Sequence, residues 1–219
     1  MRKTLLFLSV IGLLITSCEN KIVDSEGLEY KTVTSRTGKI WLDRNLGASQ
    51  AATSSKDSLA YGDFYQWGRG ADKHQFRFSA TTTTLSSSDE PGHGDFITPG
   101  PSPYDWHSPQ NDNLWQGVNG TNNPCPSGYR LPNSAEWEKE IASWVSDDAD
   151  GAFASPLSLP MAGYRDYSRG SHSSVSYEGT YWSSTVDGKW SNNYGFNSSN
   201  AGMLSSSRAD GYSVRCIKD

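Results

Sequence analysis

The hydrophobic residues of this chain are unevenly spread, and the longest apolar run lies near the amino terminus. Leu5 to Ile15 is apolar except for Ser9 and Gly12, and it follows the cations Arg2 and Lys3. A helix of this length would span about 16 Å, which is too short for a bilayer core of roughly 30 Å. The run is therefore typical of the hydrophobic region of a secretory signal.

The apolar run ends in Ile15-Thr16-Ser17-Cys18. Small residues before a cysteine resemble a bacterial lipobox, in which the cysteine is lipidated and the preceding signal is removed. We therefore expect a lipoprotein signal peptide over residues 1–17, a lipid on Cys18 and a polar tether over residues 18–27. The protein would then be anchored in the cell envelope, at the outer membrane, and able to face the cell surface. An ordinary signal peptide that contains a cysteine is the alternative.

Short strands are predicted by the pattern that follows the tether. Leu28–Thr34 and Lys39–Asp43 are strand-like and are separated by Ser35-Arg36-Thr37-Gly38, which predicts a β-hairpin. At the end of the chain, a final strand would place three side chains on one face: Tyr212, Val214 and Cys216.

The clearest helical pattern covers Ser134–Ser146. Asn133 can cap this helix, and Glu136 stands three residues later, as in a capping box. Four apolar residues then fall at helical spacing and would form one stripe: Trp137, Ile141, Trp144 and Val145. The acidic run Asp147–Gly151 does not have the spacing of a calcium loop, so we expect a solvated helix terminus there.

A long segment, Ser79–Asn113, is rich in Ser, Thr and Pro. It has few apolar anchors and many residues that break regular structure, so we expect a surface loop that wraps the domain. A linker between two domains is the alternative, but the part that precedes the segment is short for an independent core. We therefore expect one domain over residues 28–219.

Charge and aromatic content narrow the possible classes of protein. The chain carries 19 Lys and Arg against 24 Asp and Glu, a net charge of −5. Such a chain lacks the clustered cations that neutralise phosphates, so we expect no nucleic-acid partner. Eight Trp, 11 Tyr and 7 Phe supply enough bulk for a core, which argues against intrinsic disorder.

The chain has three cysteines, Cys18, Cys125 and Cys216. If Cys18 carries lipid, an even pair remains in an oxidising compartment, where a disulfide is expected. A bridge between Cys125 and Cys216 would close a loop of about 91 residues and contribute about 4–5 kcal/mol in the chain-entropy model. Two free thiols with a catalytic role are the alternative, although no adjacent histidine suggests a base.

Several motifs carry a family resemblance. Residues 129–138, YRLPNSAEWE, resemble a signature of the sulfatase-modifying-factor family, which has a C-type-lectin-like fold. Further stretches are similar, in matching order, to the Fibrobacter succinogenes major paralogous domain: Gly38–Trp41 with Asn45-Leu46, Tyr61–Trp67, Cys125–Tyr129, Gly179–Thr185 and Ser213–Cys216. The resemblance spans about residues 30–219. It implies a single C-type-lectin-like α+β domain, irregular and loop-rich, with short antiparallel strands and few helices, on exported and often lipid-anchored bacterial proteins.

An enzymatic function finds little support in the residues. The formylglycine-generating relatives use a cysteine pair as a copper and redox site, whereas Cys125 and Cys216 match the structural bridge of the paralogous domain. The histidines are scattered without a metal-binding spacing, and we expect them at chance surface positions. They are His74, His93, His107 and His172. A glycosidase would need two carboxylates close together on rigid elements, and the sequence spacing of the acidic residues does not identify such a pair. We therefore expect no catalytic residue, no metal and no cofactor.

The last third of the chain has the composition of a binding surface. Residues 168–213 are rich in Ser, Asn, Tyr and Gly, which dominate antibody paratopes. Gly188, Gly195 and Gly202 recur every seven residues, which favours loops that turn back on themselves. We expect Trp182 to lie in the core. A glycan or protein ligand would be contacted from exposed loops by four residues: Trp190, Tyr194, Asn197 and Asn200.

Diversification by retroelements is a further hypothesis for this segment. Some lectin-fold proteins are varied by retroelements that mutate adenines, and Asn, Ser and Tyr codons are typical products. Seven residues resemble such a set: Tyr194, Asn197, Ser198, Asn200, Ser205, Ser206 and Ser207. The sequence thus predicts a lipid-anchored binding protein. The alternatives are a structural subunit of a surface complex and an enzyme of the sulfatase-modifying-factor type.

Overall fold

The computed structural model describes residues 21–219, so the expected signal peptide and Cys18 lie outside the described residues. Residues 21–219 form two α-helices, one 3-10 turn and many short strands. The helices are α1, Ser134–Ile141, and α2, Ala149–Ala154, and the 3-10 turn is Ser58–Ala60. The strands are β1 Ile22–Val23, β2 Glu29–Tyr30, β3 Thr32–Thr34, β4 Ile40–Leu42, β5 Tyr65–Gln66, β6 Thr81–Thr82, β7 Phe96–Ile97, β8 Tyr129–Arg130, β9 Tyr164–Arg165, β10 His172–Ser173, β11 Gly179–Asp187, β12 Trp190–Phe196, β13 Ala201–Ser206, β14 Gly211–Tyr212 and β15 Ile217–Lys218.

These strands form several small sheets. Two sheets have the orders β3-β4-β15-β8 and β10-β9-β14-β5, and a third has the order β11-β12-β13. In the described residues, β1-β2 and β6-β7 each form a separate two-stranded sheet. Pairing is antiparallel except between β6 and β7. An α+β, loop-rich fold with short antiparallel strands and few helices is therefore confirmed.

Two local predictions from the sequence are confirmed. The first hairpin is present: β3 pairs with β4 in antiparallel register, with Thr32 opposite Leu42. The helix begins with a capping box, in which the side chain of Asn133 accepts a hydrogen bond from Glu136 N at 2.9 Å. The carboxylate of Glu136 in turn accepts one from Asn133 N at 3.0 Å. Two of the backbone amides at the helix start, those of Asn133 and Glu136, are thus satisfied.

The predicted end of this helix is wrong. α1 ends at Ile141 and not at Ser146. Trp144 N donates to Ile141 O, and a bond of this three-residue spacing replaces the α-helical ladder with a tighter turn. Trp144 is buried as predicted, but Val145 is exposed and is not part of the apolar stripe.

The acidic run Asp147–Gly151 is a helix terminus, but it is the start of α2 and not the end of α1. The carboxylate of Asp148 accepts a hydrogen bond from Gly151 N at 2.9 Å and thereby caps α2. An aspartate is favoured at this position because its oxygen satisfies a free amide at the positive end of the helix.

Two clusters of buried side chains lie on the two faces of β11. Successive side chains of a strand point to opposite faces, so Tyr181 and Trp182 join different clusters. Trp182 is fully buried, which confirms its expected core position. The cluster around Trp182 also contains Cys216, and Cys125 packs against it. Cys125 and Cys216 are bonded as a disulfide, with Cα atoms 5.9 Å apart, which confirms the expected bridge.

The last segment of the chain is buried as predicted but is not one strand. Tyr212, Val214 and Cys216 all belong to the same cluster. Between β14 and β15 the chain leaves the sheet that contains β14. There Val214 O accepts a hydrogen bond from Leu46 N, and Cys216 O accepts one from Leu42 N. The segment therefore passes from one four-stranded sheet to the other.

The segment Ser79–Asn113 is irregular, as expected, but it is not confined to the surface. It contains β6 and β7, and Phe96, Ile97 and Trp106 within it are fully buried. The indole of Trp106 donates to Trp67 O at 2.7 Å, which ties the segment to the core. The segment is thus packed against the core through Trp106.

Candidate ligand-binding site

Trp190 is the one tryptophan of the eight that is not buried. It is the first residue of β12, directly after the two-residue turn Gly188-Lys189, and pairs with Asp187 across that turn. Gly188 has φ +56°, a left-handed conformation that glycine adopts without strain. The turn therefore places Trp190 at one end of the β11-β12-β13 sheet, where it is half-buried.

Two tyrosines from distant parts of the chain lie beside Trp190. The rings of Tyr104 and Trp190 are stacked, with centroids 6.3 Å apart and planes inclined by 25°. The ring of Tyr167 lies on Tyr104, with centroids 4.8 Å apart. All three residues are half-buried. We call Tyr104, Tyr167 and Trp190 the aromatic platform.

The turn before Trp190 is fastened to the segment that carries Tyr104. Gln110 Nε2 donates to Lys189 O at 3.0 Å and to the carboxylate of Asp105 at 2.8 Å. Lys189 Nζ reaches Ser102 Oγ at 3.4 Å and lies 4.9 Å from the centre of the Trp190 ring. The platform thus rests on hydrogen bonds between two segments rather than on one flexible loop.

A buried arginine, Arg208, holds the turn that precedes Trp190. The guanidinium of Arg208 donates to Gly188 O at 3.0 Å and to the carboxylate of Asp112 at 2.6 Å. The carboxylate of Asp105 lies 3.8 Å away, and burial raises the pKa of this carboxyl. Arg208 therefore connects the turn of the β11-β12 hairpin to the irregular segment, because both present acceptors to it.

A cavity of about 320 Å³ borders the platform, and we call it the proline cleft. Its lining includes the residues on both sides of Tyr104 and also Gln110, which contacts the turn before Trp190. The lining residues are Leu85, Pro101, Ser102, Pro103, Asp105, His107, Ser108, Pro109 and Gln110. Apolar ring faces and hydrogen-bonding groups thus lie next to each other, as recognition of a polar ligand with apolar faces requires.

The prediction that Tyr194 is an exposed ligand contact is wrong. Tyr194 is fully buried and its ring stacks on Trp137, with centroids 5.4 Å apart. The segment does not form loops: β12 and β13 are paired strands, and Gly195 stands opposite Gly202 in their register. Paired backbone groups and the aromatic contact of Tyr194 with α1 make this segment part of the core.

Asn197 and Asn200 lie at the other end of β12 from Trp190. Asn197 follows Trp190 by seven positions, which corresponds to about 23 Å along a strand. Asn197 Oδ1 accepts hydrogen bonds from Ser199 N at 2.8 Å and Asn200 N at 3.2 Å, so this side chain shapes the turn between β12 and β13. The four predicted contact residues are therefore not brought together.

Both asparagines do line a shallow groove of about 220 Å³, which we call the glycine groove. Gly195 and Gly202 are part of its lining, and a side chain added at Gly202 would meet no neighbouring atom within 4 Å. The remaining lining residues are Glu178, Thr180, Phe196, Ala201 and Leu204. The groove is a second concave surface on the same sheet, and the one aromatic side chain in its lining, Phe196, is buried.

Two other expectations about surface residues are wrong in part. Among the histidines, His74 and His107 are buried rather than exposed. Among the residues that resemble a diversified set, Tyr194 and Ser207 are buried. Free variation at Tyr194 would remove aromatic contacts from the core, so this position does not suit a diversified surface.

Neither a metal site nor a membrane-crossing helix is found in residues 21–219. No group of three or more His, Cys, Asp or Glu side chains in this part of the chain could hold a metal ion. No helix in the same range is both long and apolar enough to span a bilayer.

Comparison with known proteins returns no match: no family model, no curated protein and no solved structure matches this chain. The site is therefore assigned from its own geometry. Sequence reasoning found Trp190 but missed Tyr104 and Tyr167, because no spacing or local motif signals that they would meet Trp190.

Proposed function

We propose that the protein is an exported, lipid-anchored binding protein of the cell envelope that captures a glycan on the aromatic platform. The observation that carries this proposal is the stacking of Tyr104 on Trp190, with Tyr167 against Tyr104, in three half-buried rings at the surface. Half-buried rings held in place by other segments present apolar area at low entropy cost, which favours binding.

A sugar ring suits this surface because it combines apolar C–H faces with hydroxyl groups. The platform offers aromatic faces to the former. The neighbouring Lys189, Ser102 and Gln110 offer donors and acceptors to the latter. Aromatic residues with a polar tip are enriched at surfaces that recognise such amphipathic ligands. A protein ligand is the alternative for the same platform.

The C-type-lectin-like assignment and the membrane anchor belong to the same proposal. The ordered motifs between residues 30 and 219 support membership in the paralogous-domain family, and the mixed α+β architecture is compatible with it. The lipobox-like Thr16-Ser17-Cys18 supports attachment to the outer membrane. With a lipid at Cys18, the platform would project from the membrane surface toward the environment of the cell.

A structural role in a surface complex is a second candidate, and one observation favours it. Within the described residues, β13 has a strand neighbour only on its β12 side. A free strand edge can pair with a strand of another chain. Extraction in mild detergent followed by native electrophoresis tests this role, because a structural subunit would migrate in a defined larger complex whether or not a glycan is present.

An enzyme of the sulfatase-modifying-factor type has the least support. Cys125 and Cys216 are the two cysteines of the described residues, and they are joined in the disulfide. A cysteine pair held in this bond is not available as a metal-binding thiol pair.

A glycan array with the detergent-purified lipoprotein tests the proposed function. The wild-type protein is expected to bind a defined set of glycans, and Trp190→Ala is expected to lose them. Tyr177→Ala is the matched control, because Tyr177 is a 74% exposed aromatic residue outside the platform. No glycan binding by the wild-type protein, or equal binding by Trp190→Ala, would refute the proposal.

A further inference from the structure

A third cavity lies beside β9 and β10 and shares no lining residue with the platform, the proline cleft or the glycine groove. Its volume is about 300 Å³, and we call it the cationic cleft. It is lined by Arg77, Phe78, Ser79, Arg165, Gly170, Ser171 and His172. The lining thus holds two guanidinium groups, one imidazole and one phenyl ring, and it holds no carboxylate.

Arg165 places an uncompensated positive charge under this cleft. It is 3% exposed, and its guanidinium donates to Ser79 Oγ at 2.6 Å, Ser79 O at 2.7 Å and Gly170 O at 2.8 Å. Burial lowers the pKa of Arg165 to about 10, so the group stays charged at neutral pH. Within residues 21–219, no carboxylate lies within 4.0 Å of this guanidinium. Such a buried charge without a counter-ion favours an anion nearby.

Arg77 is the cation that can reach a ligand directly. Its guanidinium lies 4.1 Å from the centre of the Phe64 ring, and its hydrogen bonds to Gly62 O and Ala162 O are long, at 3.5 and 3.4 Å. These long contacts leave most of its N–H groups available. No carboxylate of the described residues lies within 4.0 Å of it either.

The nearest acidic influence on Arg77 is Asp63, which is a weak counter-ion. Burial raises the pKa of Asp63 to about 7, even though Arg77 lowers it, so the carboxyl is only partly ionised at neutral pH. The positive charge of Arg77 is therefore only partly neutralised within the protein.

An exposed aromatic ring stands at the edge of the same cleft. Phe78 is 89% exposed, and its ring centroid lies 5.2 Å from that of His172. His172 Nε2 lies 2.6 Å from Arg77 O and therefore carries the proton and donates it, which leaves Nδ1 as an acceptor for a ligand hydroxyl. A large apolar ring left in water beside unpaired cations is typical of a surface that a ligand covers.

We propose that the cationic cleft binds an acidic sugar, whose carboxylate pairs with Arg77 and whose ring packs on Phe78. A guanidinium matches the planar carboxylate with two parallel hydrogen bonds, and the long-range charge of Arg165 adds to the attraction. This inference names a class of glycan and so rests on the proposed function. It depends on different residues, however, because none of the residues that line the cationic cleft belongs to the platform.

Titration calorimetry with oligogalacturonate and its methyl ester tests the inference. The two probes share the same sugar rings, and the ester replaces each carboxylate by an uncharged methyl ester. The full lipoprotein is expected to bind the acid at least about tenfold more tightly than the ester. Arg77→Gln should remove this preference, and Arg77→Lys should keep part of it. Phe78→Ala should weaken binding of both probes without a change in melting temperature, because this ring is not packed in the core.

The outcomes separate the cleft from the platform. If Arg77→Gln stays folded and still prefers the acid, or if the wild-type protein binds acid and ester equally, the inference is overturned. A sulfated oligosaccharide that binds in place of the carboxylated one would overturn the uronate assignment, and so would a phosphopeptide that binds when no sugar does. If Trp190→Ala retains binding while Arg77→Gln loses it, the platform fails and the cleft stands. If Arg77→Gln retains binding while Trp190→Ala loses it, the inference about the cleft is overturned and the proposed function of the platform is supported.

Discussion

Tyr194 stacks on Trp137, with ring centroids 5.4 Å apart and planes inclined by 26°, and so joins β12 to α1. The hydroxyl of Tyr194 is buried and has no hydrogen-bond partner among the described residues. The ring therefore stabilises the fold while its hydroxyl opposes folding, because a buried polar group without a partner has lost its bonds to water.

This geometry predicts opposite effects for two substitutions at one position. Tyr194→Ala should lower the free energy of unfolding by about 3–5 kcal/mol, since it removes a buried aromatic ring. Tyr194→Phe keeps the ring and removes the unpaired hydroxyl, so stability should be unchanged or raised by about 1–2 kcal/mol. Denaturant unfolding of both variants measures this. A loss in Tyr194→Phe as large as in Tyr194→Ala would show that the hydroxyl has a strong partner.

Loss of the disulfide should destabilise the domain. The bridge joins residues 91 positions apart, so it restricts a large loop of the unfolded chain. Replacement of both Cys125 and Cys216 by serine should lower the free energy of unfolding by about 2–5 kcal/mol. Thermal unfolding with and without reductant is the measurement, and the double variant should be insensitive to reductant. Two thiols that react with an alkylating agent in the native, unreduced protein would contradict the account.

Asp63 should make stability fall as pH rises. Burial raises its pKa to about 7 in the folded protein from an ordinary value of 3.8. The folded state thus holds a proton that the unfolded state releases, and the free energy of unfolding decreases between about pH 4 and 7. Asp210, whose pKa burial also raises to about 7, acts in the same direction.

Asp63→Asn isolates the contribution of this carboxyl. The variant should resemble the wild-type protein at pH 4 and be more stable than it at pH 8, with the difference appearing between these values. Urea unfolding at pH 4, 6 and 8 gives the comparison. A wild-type protein that gains stability relative to Asp63→Asn as pH rises would mean that Asp63 is ionised and well paired.

The anchor is tested at Cys18. Metabolic labelling with palmitate should mark the wild-type protein, and Cys18→Ala should carry no label and stay uncleaved or soluble, because the lipid-accepting thiol is gone. A labelled Cys18→Ala protein would show that the lipid, if any, is attached elsewhere.

Local features of this fold could be predicted from the sequence because neighbouring residues determine them. The capping box of Asn133 and Glu136 involves residues three apart, and the hairpin of β3 and β4 is set by one short turn. The pairing of Cys125 with Cys216 followed from the count of cysteines and from the family resemblance.

Burial in the last third of the chain could not be predicted from composition. Ser191 and Asn193 are buried in this sheet although they are polar, and Asn193 Nδ2 donates across strands to Ser206 Oγ at 2.8 Å. A segment rich in Ser and Asn therefore forms core strands that hide Tyr194 while having the composition of a loop. The alternation of Tyr194 and Phe196 on one face was the signal that could have shown it.

The candidate site was only partly predictable for a related reason. Trp190 was recognisable as an aromatic residue among small polar ones beside a turn. Tyr104 and Tyr167 reach it through tertiary contacts, such as those of Gln110 with Lys189, that no local pattern encodes.

The most direct test of the account is the affinity of the platform for a glycan found on the array. Titration calorimetry should compare the wild-type protein with Trp190→Ala, Tyr104→Ala and the control Tyr177→Ala. Each platform variant is expected to lose about 2 kcal/mol of binding free energy, roughly thirtyfold in affinity, while melting temperatures and the affinity of the control stay unchanged. Wild-type affinity in a folded Trp190→Ala variant would contradict it.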